Sequence, residues 1–444
     1  MKPLVKILVR SKSDADAVRH ALRRFVNNEL TIDTLKGARK IDDIANQLKR
    51  HVDFKGLVIV MLGLEDREAL KLKRVFPQNF VFYVISKSKV RNERPSQIAR
   101  HYLQAKASYR MRLSWLSNKR TYTLFDLGDL LDNWMVNPRY DVYMPSPGMA
   151  HELERHFKIS PSLIVKKLGG LHAMYRGPRL IANIAFADEG LDFKVEAIEP
   201  REKIEVSSIE EHAKLNKEVI GFLEEISLSY LSSFEADYVL VPWSGGKDST
   251  TALILALKAF KGKVIPVFID TGLEFKETYD YVESMAKSLG IEPLKLKAPI
   301  REAIEQGRPL PTNKDRWCTA FKMKATEDLV KEYSKTGRVL MVIGDREAES
   351  PARLRRPATI IHEHYIEATP IKLWSALHVQ LYLTLNNVPT NAMYDYGFFR
   401  IGCYICPALR NWEIKLILEK PELSYIKADR LFQEFAKLRR AWID

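Results

Sequence analysis

The 444-residue chain carries 70 Lys and Arg against 56 Asp and Glu, a formal charge of +14, and 46% of it is hydrophobic, with 7 Trp, 18 Tyr and 19 Phe. That composition excludes a largely disordered chain, and the length suggests about three domains. No run approaches the roughly 18 apolar residues of a membrane span, the start MKPLVKILVRSKSD lacks a signal-peptide pattern, and the 3 cysteines cannot build a disulfide framework, so a reducing, cytoplasmic setting is expected.

Residues 4–10 (LVKILVR), 56–62 (GLVIVML) and 80–85 (FVFYVI) are short β-branched runs with helical patterns between them, so residues 1–120 are expected to form a small α/β module with parallel strands. This module holds 27 Lys and Arg against 11 Asp and Glu, a net of +16 that leaves −2 on all the rest. After Pro95, the recurrence of Ile98, Tyr102, Ala105, Tyr109, Leu113 and Leu116 predicts a helix with one apolar stripe. Arg100, Lys106, Arg110 and Arg112 fall off that stripe and are expected to face water. With Arg91 and Arg94 they form a candidate surface for a nucleic-acid backbone, since clustered charge binds phosphates by counterion release. The alternative is a solvated helical face.

Residues 121–205 are punctuated by Pro138, Pro145, Pro147, Pro161 and Pro178. The alternation in 179–198 predicts paired strands around a turn at Asp188–Gly190, hence a small β-containing accessory domain. Ser207-Ser208-Ile209-Glu210-Glu211 resembles a capping box and is expected to open a long amphipathic helix reaching about Phe234. From there to residue 444 the pattern alternates. YVLVPW (238–243), KVIPVFID (263–270) and VLMVIG (339–344) read as strands separated by helices, which predicts an open, doubly wound, mainly parallel α/β sheet.

Ser244-Gly245-Gly246-Lys247-Asp248-Ser249 lies where the first of these strands gives way to a helix. Two glycines permit a sharp turn and close approach to a ligand, the helix N-terminus favours an anion, and Lys247, Ser244 and Ser249 add donors. The spacing is too short for a Walker loop.

The SGGKDS loop is similar to that of the PP-loop adenine-nucleotide α-hydrolases, which include ATP pyrophosphatases, tRNA thiolases, sulfate adenylyltransferase small subunits and PAPS reductases. The resemblance implies that the loop grips the pyrophosphate part of ATP while an acceptor oxygen attacks the α-phosphate. The intact Lys247 looks like that of a member that cleaves ATP, with Lys247, Asp248 and Asp270 as the implied catalytic groups. Residues 236–410 resemble the PAPS reductase branch through DTGLEFKET (270–278), RWCT (316–319), GDREAES (344–350), PIKLW (370–374) and RIGCYICP (400–407). By that resemblance Asp270, Thr271 and Gly272 contact the sugar and base end of the nucleotide and Asp270 touches Mg2+. Arg346 and Arg353 stand either as ligands of a terminal phosphate or sulfate, or as surface ion pairs with Glu347 or Glu349.

Cys403 and Cys406 form a CxxC, which alone fits a redox pair, a zinc half-site or an iron–sulfur half-site. Zn2+ needs a fourth ligand, for which His362, His364 and His378 are candidates. Similar iron–sulfur APS reductases have Cys-Cys where this chain has Trp317-Cys318, and certain tRNA thiolases bind a [4Fe-4S] cluster through three cysteines. The resemblance therefore favours a [4Fe-4S] cluster on Cys318, Cys403 and Cys406 over Zn2+ or inert thiols. The tail ADRLFQEFAKLRRAWID lacks the cysteine that reductases use as nucleophile.

The function expected is ATP-dependent, AMP- and pyrophosphate-forming sulfur transfer to an RNA base, in tRNA or rRNA, from an unidentified sulfur donor. The alternatives are an APS or PAPS reductase and a non-catalytic RNA- or ribosome-associated protein.

Overall fold

Residues 5–9 and 57–62 are apolar at nearly every position, and such strands are stable only where both faces are covered. In the computed structural model they form β1 (Val5–Val9) and β3 (Leu57–Leu62), the centre of a parallel sheet ordered β2-β1-β3-β4, with β2 at Leu30–Thr34 and β4 at Phe80–Val84. The structure describes every residue except 1, 27, 126, 187, 188, 192, 199–203, 443 and 444. Alternate side chains feed two cores: Val5, Ile7, Val9, Ile59 and Met61 join Ile98 and Tyr102 on one face, while Leu8, Val58 and Val60 meet Ile44 and Leu48 on the other. The helix expected after residue 95 spans Pro95–Arg110, with Pro95 in its first turn, and a hairpin of β5 (Ser114–Leu116) and β6 (Thr121–Thr123) follows.

Strands β7 (Asp141–Tyr143), β8 (Leu163–Lys166), β9 (Leu171–Arg176), β10 (Arg179–Ala185) and β11 (Lys194–Ala197) build an antiparallel sheet ordered β11-β10-β9-β8-β7. The pairing expected within 179–198 is that of β10 with β11, where Ala182 opposes Ala197 and Ala185 opposes Lys194. The turn expected at Asp188–Gly190 begins at a residue outside those described.

The capping box forms at Ser208 and Glu211, but the helix it opens runs only over Ile209–Leu215, and a second covers Lys217–Leu231. Asn216 makes the break. Its side chain accepts from Leu124 N–H at 2.7 Å and donates to the carbonyls of Tyr122 and His212 at 3.0 and 2.8 Å, tying the helix junction to β6. An Asn that satisfies backbone groups locally competes with the helical ladder.

The third sheet is ordered β14-β13-β12-β15-β17-β16, with β12 at Tyr238–Pro242, β13 at Val264–Asp270, β14 at Leu294–Lys297, β15 at Val339–Val342, β16 at Thr359–Ile361 and β17 at Tyr365–Ala368. All pairs are parallel except β16 with β17. From β12 the chain winds outward through β13 to β14 and then returns to β15 on the other side of β12. Strand order therefore reverses between β12 and β15, and a doubly wound sheet opens its ligand crevice at the carboxyl ends of such a strand pair.

Candidate active site

The SGGKDS loop leaves β12 at this reversal. Trp243, 1% exposed, fastens the loop's entry through its N–H to Val267 O at 2.8 Å and its indole N–H to Thr250 Oγ1 at 2.9 Å. Gly245 has φ +71°, and a Cβ there would press Thr278 and Val282 at 3.2 Å. Ser244 N–H donates to Ser249 Oγ at 3.2 Å, and that hydroxyl donates to Gly246 O at 3.0 Å, so both serines brace the turn. The helix Lys247–Ala259 begins here with Gly246 as its N-cap. Its first N–H groups have no intrahelical acceptor; that of Lys247 donates to the Tyr394 hydroxyl at 3.1 Å.

A chain of charges runs outward from the loop. Lys247 Nζ lies 2.9 Å from Asp248 Oδ2, Asp248 Oδ1 takes Arg346 Nε at 2.6 Å, and Arg346 Nη1 reaches Asp141 Oδ2 at 2.7 Å. Asp141 Oδ1 in turn accepts the N–H of Ala376 at 2.9 Å. Burial alone would raise the Asp248 carboxyl, but Arg346 and then Lys247 hold it well below the usual carboxylate range. Burial likewise opposes the Arg346 charge, and Asp141 with Asp248 overcomes it. Lys247 stays a cation for the same reason, through Asp248. Gly344, at the carboxyl end of β15, admits this helix start: a Cβ there would sit 2.6 Å from the Asp248 carbonyl oxygen.

Arg346 is thus not in a surface pair. It is 2% exposed, and only its backbone N–H meets the Glu349 carboxylate, at 2.9 Å. Arg353 does form ion pairs, with Asp345 at 3.1 Å and with Glu349.

On the neighbouring strand, Asp270 Oδ1 receives Gly272 N–H at 2.8 Å and Tyr279 OH at 2.6 Å. Thr271 is held by Glu274 through both its N–H and its hydroxyl. Parallel pairing of β12 with β13 puts the loop and the 270–272 turn at the same sheet edge.

Cys318 lies in the first turn of the helix Trp317–Ser334, and Cys403 and Cys406 in the turns after residue 401. All three are 7% exposed and belong to one apolar cluster. Cys403 and Cys406 share a hydrogen bond that favours the Cys406 thiolate, with Arg400 and Arg316 adding to the effect. Lys322, one turn beyond Cys318, keeps its charge raised by Cys403, Glu274, Cys406 and Cys318 against its own burial. Buried thiols among cations suit a thiolate-bound group by donor chemistry. Among the described residues, no three His, Cys, Asp or Glu side chains stand at metal-holding spacing. The histidines considered as a fourth zinc ligand lie elsewhere. His378 accepts Ser375 N–H at 3.1 Å, and burial lowers its pKa to about 3; His362 stacks on Tyr365 with centroids 4.1 Å apart, and His364 is exposed.

The expected cationic surface divides. Arg94 and Arg100 are exposed, as is Arg91, which also pairs with Asp14 at 3.4 Å. Arg112, half-buried, donates to Gln78 O at 2.9 Å. Lys106 and Arg110 do not face water: they are 0% and 1% exposed. Lys106 Nζ meets Glu29 at 3.0 Å and also Glu347, while Arg110 reaches Glu347 at 2.9 Å and Pro138 O at 2.9 Å. The acids that meet them are remote in sequence: at Lys106 they outweigh the cost of burial, whereas at Arg110 burial prevails over Glu347 and lowers the pKa.

Asp141, Tyr394 and Lys166 were missed at the sequence level. Tyr394 reaches the loop itself, Asp141 reaches Arg346 and Lys166 reaches Glu349 O, each from far along the chain, and none sits in a motif.

Residues 238–409 match the family model described as the phosphoadenosine phosphosulfate reductase domain. An uncharacterised protein of Methanocaldococcus jannaschii is 37% identical over 214 residues, 46% of this chain and 44% of that protein. A second from the same organism is 34% identical over 247 residues, 53% of this chain and 59% of its own length. The matches thus span about half the length of these relatives. An adenosine 5′-phosphosulfate reductase of Staphylococcus epidermidis is 28% identical over 199 residues, 43% of this chain and 79% of that enzyme. Among the described residues, no helix is long and apolar enough to cross a membrane.

Proposed function

We propose, from the match of residues 238–409 to the phosphoadenosine phosphosulfate reductase domain, that this protein adenylates a base carbonyl in RNA with ATP and exchanges the activated oxygen for sulfur. The observation that carries the reading is the complete SGGKDS turn at the strand reversal, with Lys247 kept cationic and aligned by Asp248, Arg346 and Asp141. A lysine at a helix N-terminus stabilises charge developing on departing pyrophosphate, which a reductase without that leaving group does not require. In the reading, the base oxygen attacks the α-phosphate, pyrophosphate leaves, and AMP departs when sulfur takes its place. Asp270, at the same sheet edge, is the residue assigned to Mg2+.

Cys318, Cys403 and Cys406 are the residues that would hold a [4Fe-4S] cluster, which would supply iron for binding sulfide; the three thiols do not stand at metal-holding spacing in this structure, so seating it would require them to draw together. Lys322, Arg316 and Arg400 are the cations that would balance the negative charge of a thiolate-bound group there. Arg91, Arg94 and Arg100 supply cations for the RNA backbone.

The test is release of pyrophosphate and AMP from ATP, stimulated by RNA and lost in Lys247→Ala. Release of ADP, or no ATP binding, would falsify the reading. Anaerobic purification should yield about four irons with matching sulfide, and a colourless zinc protein would remove the cluster. The similarity to an adenosine 5′-phosphosulfate reductase favours a second reading, sulfonucleotide reduction. Sulfite formed from APS or PAPS with a thiol reductant would establish it instead.

A further inference from the structure

The antiparallel sheet does more than pack beside the nucleotide domain. Its edge strand β7 ends the charge chain at Asp141, and the residue directly opposite Asp141 on β8 is Lys166. Side chains of directly opposed antiparallel residues share one face, so Lys166 points to the side on which Asp141 holds Arg346. Among the described residues its Nζ has one hydrogen bond, to Glu349 O, and that is long at 3.5 Å. Asp141, which faces it across the strand pair, and Glu349 favour its charge, while Arg346 and Lys247 of the candidate nucleotide site oppose it. Burial lowers the pKa of Lys166, and the two carboxylates only partly restore it. The neighbouring cations are satisfied differently: Lys247 by Asp248, Arg346 by Asp248 and Asp141, and Arg353 by Asp345 and Glu349. A desolvated ammonium with one marginal acceptor is costly until an anion reaches it.

We propose that Lys166, carried by the accessory sheet, is a binding residue of the nucleotide site and contacts the phosphates of ATP beyond the α-phosphate. The assignment rests on the ATP-cleaving reading of the same site. It makes the accessory sheet part of that site and gives the triphosphate a cation from outside the PP-loop fold.

The experiment compares the affinity of the full-length protein for Mg·ATP and for AMP by calorimetry, with Lys166→Met and Lys166→Arg. A charge-assisted contact to an outer phosphate predicts that Lys166→Met weakens ATP about tenfold or more and leaves AMP within about twofold, with Lys166→Arg restoring most of the loss. Should Lys166→Met fail to fold, Lys166→Gln takes its place, keeping the polar end without the charge. Unchanged ATP affinity overturns the assignment, and so does equal weakening of ATP and AMP, which is the mark of a merely structural role. If the unaltered protein binds no ATP, the adenylation reading itself falls, an outcome distinct from either result with Lys166.

Discussion

Glu413 shows how much a single buried carboxyl contributes. It is 0% exposed in the first turn of the helix Asn411–Glu419, where its Oε2 accepts Arg410 N–H at 2.6 Å while Oε1 has no hydrogen-bond partner among the described residues. Burial pushes its pKa up to about 7 from an ordinary 4.5, against the pull of the Arg410 amide and the Arg400 charge. A carboxyl whose folded pKa is raised stabilises the native state least when ionised, so stability falls as pH rises from about 4.5 through 7. The size of that loss is about 3 kcal/mol by linkage. Glu413→Gln removes the titration, and urea unfolding should find the variant more stable than its parent at pH 8, with the gap closing near pH 5. A gap that is the same at both pH values would show that Glu413 does not titrate in this range.

At the scale of elements, the helix Pro95–Arg110 is a joint as well as a charged face. Tyr102, Lys106 and Arg110 are spaced by four, and the three meet Glu29 and Glu347, which lie 77 and 241 residues from Lys106. Glu29 also accepts Ala358 N–H at 2.8 Å, and Glu347 directly follows Arg346 of the nucleotide site. This joint binds the basic module to the loop region. Lys106→Met should cost about 3–5 kcal/mol in urea unfolding, because it leaves buried carboxylates short of a cation, and Glu29→Gln in the same chain should recover part of it. A loss below about 1 kcal/mol, the level of an exposed pair, would mean the joint carries little. The same helix marks what was legible beforehand. Apolar stripes, the capping box, β1, β3 and the SGGKDS turn depend on residues close in sequence, and each was visible there. The burial of Lys106 and Arg110, the break at Asn216 and the part played by Asp141 depend on remote partners that no local pattern encodes. β14 (LKLK) and β2 (LTIDT) escaped because edge strands alternate too briefly to stand out. Of the candidate site, the SGGKDS turn was readable, while the burial of Arg346 between Asp248 and Asp141 was not.

For the whole molecule, removing Lys106 and Arg110 from the surface leaves a smaller but better defined candidate footprint for RNA. Arg91, Arg94 and Arg100 remain exposed on the module that carries the excess charge of the chain. Under the proposed function these three would neutralise backbone phosphates, each releasing about 0.7 counterion for single strands or 0.9 for a duplex. Replacing all three with Gln should therefore lower the slope of log affinity against log salt by about 2 to 3. Mg·ATP affinity should stay at its parental value, because none of the three touches the charge chain from Lys247 to Asp141. Fluorescence anisotropy with a labelled RNA across a salt series reads the slope, and calorimetry reads the nucleotide. An unchanged slope would move the RNA path away from this face and toward the other arginines and lysines of the module, such as Arg23, Arg24, Arg39 and Lys40, which are exposed near the ends of β1 and β2.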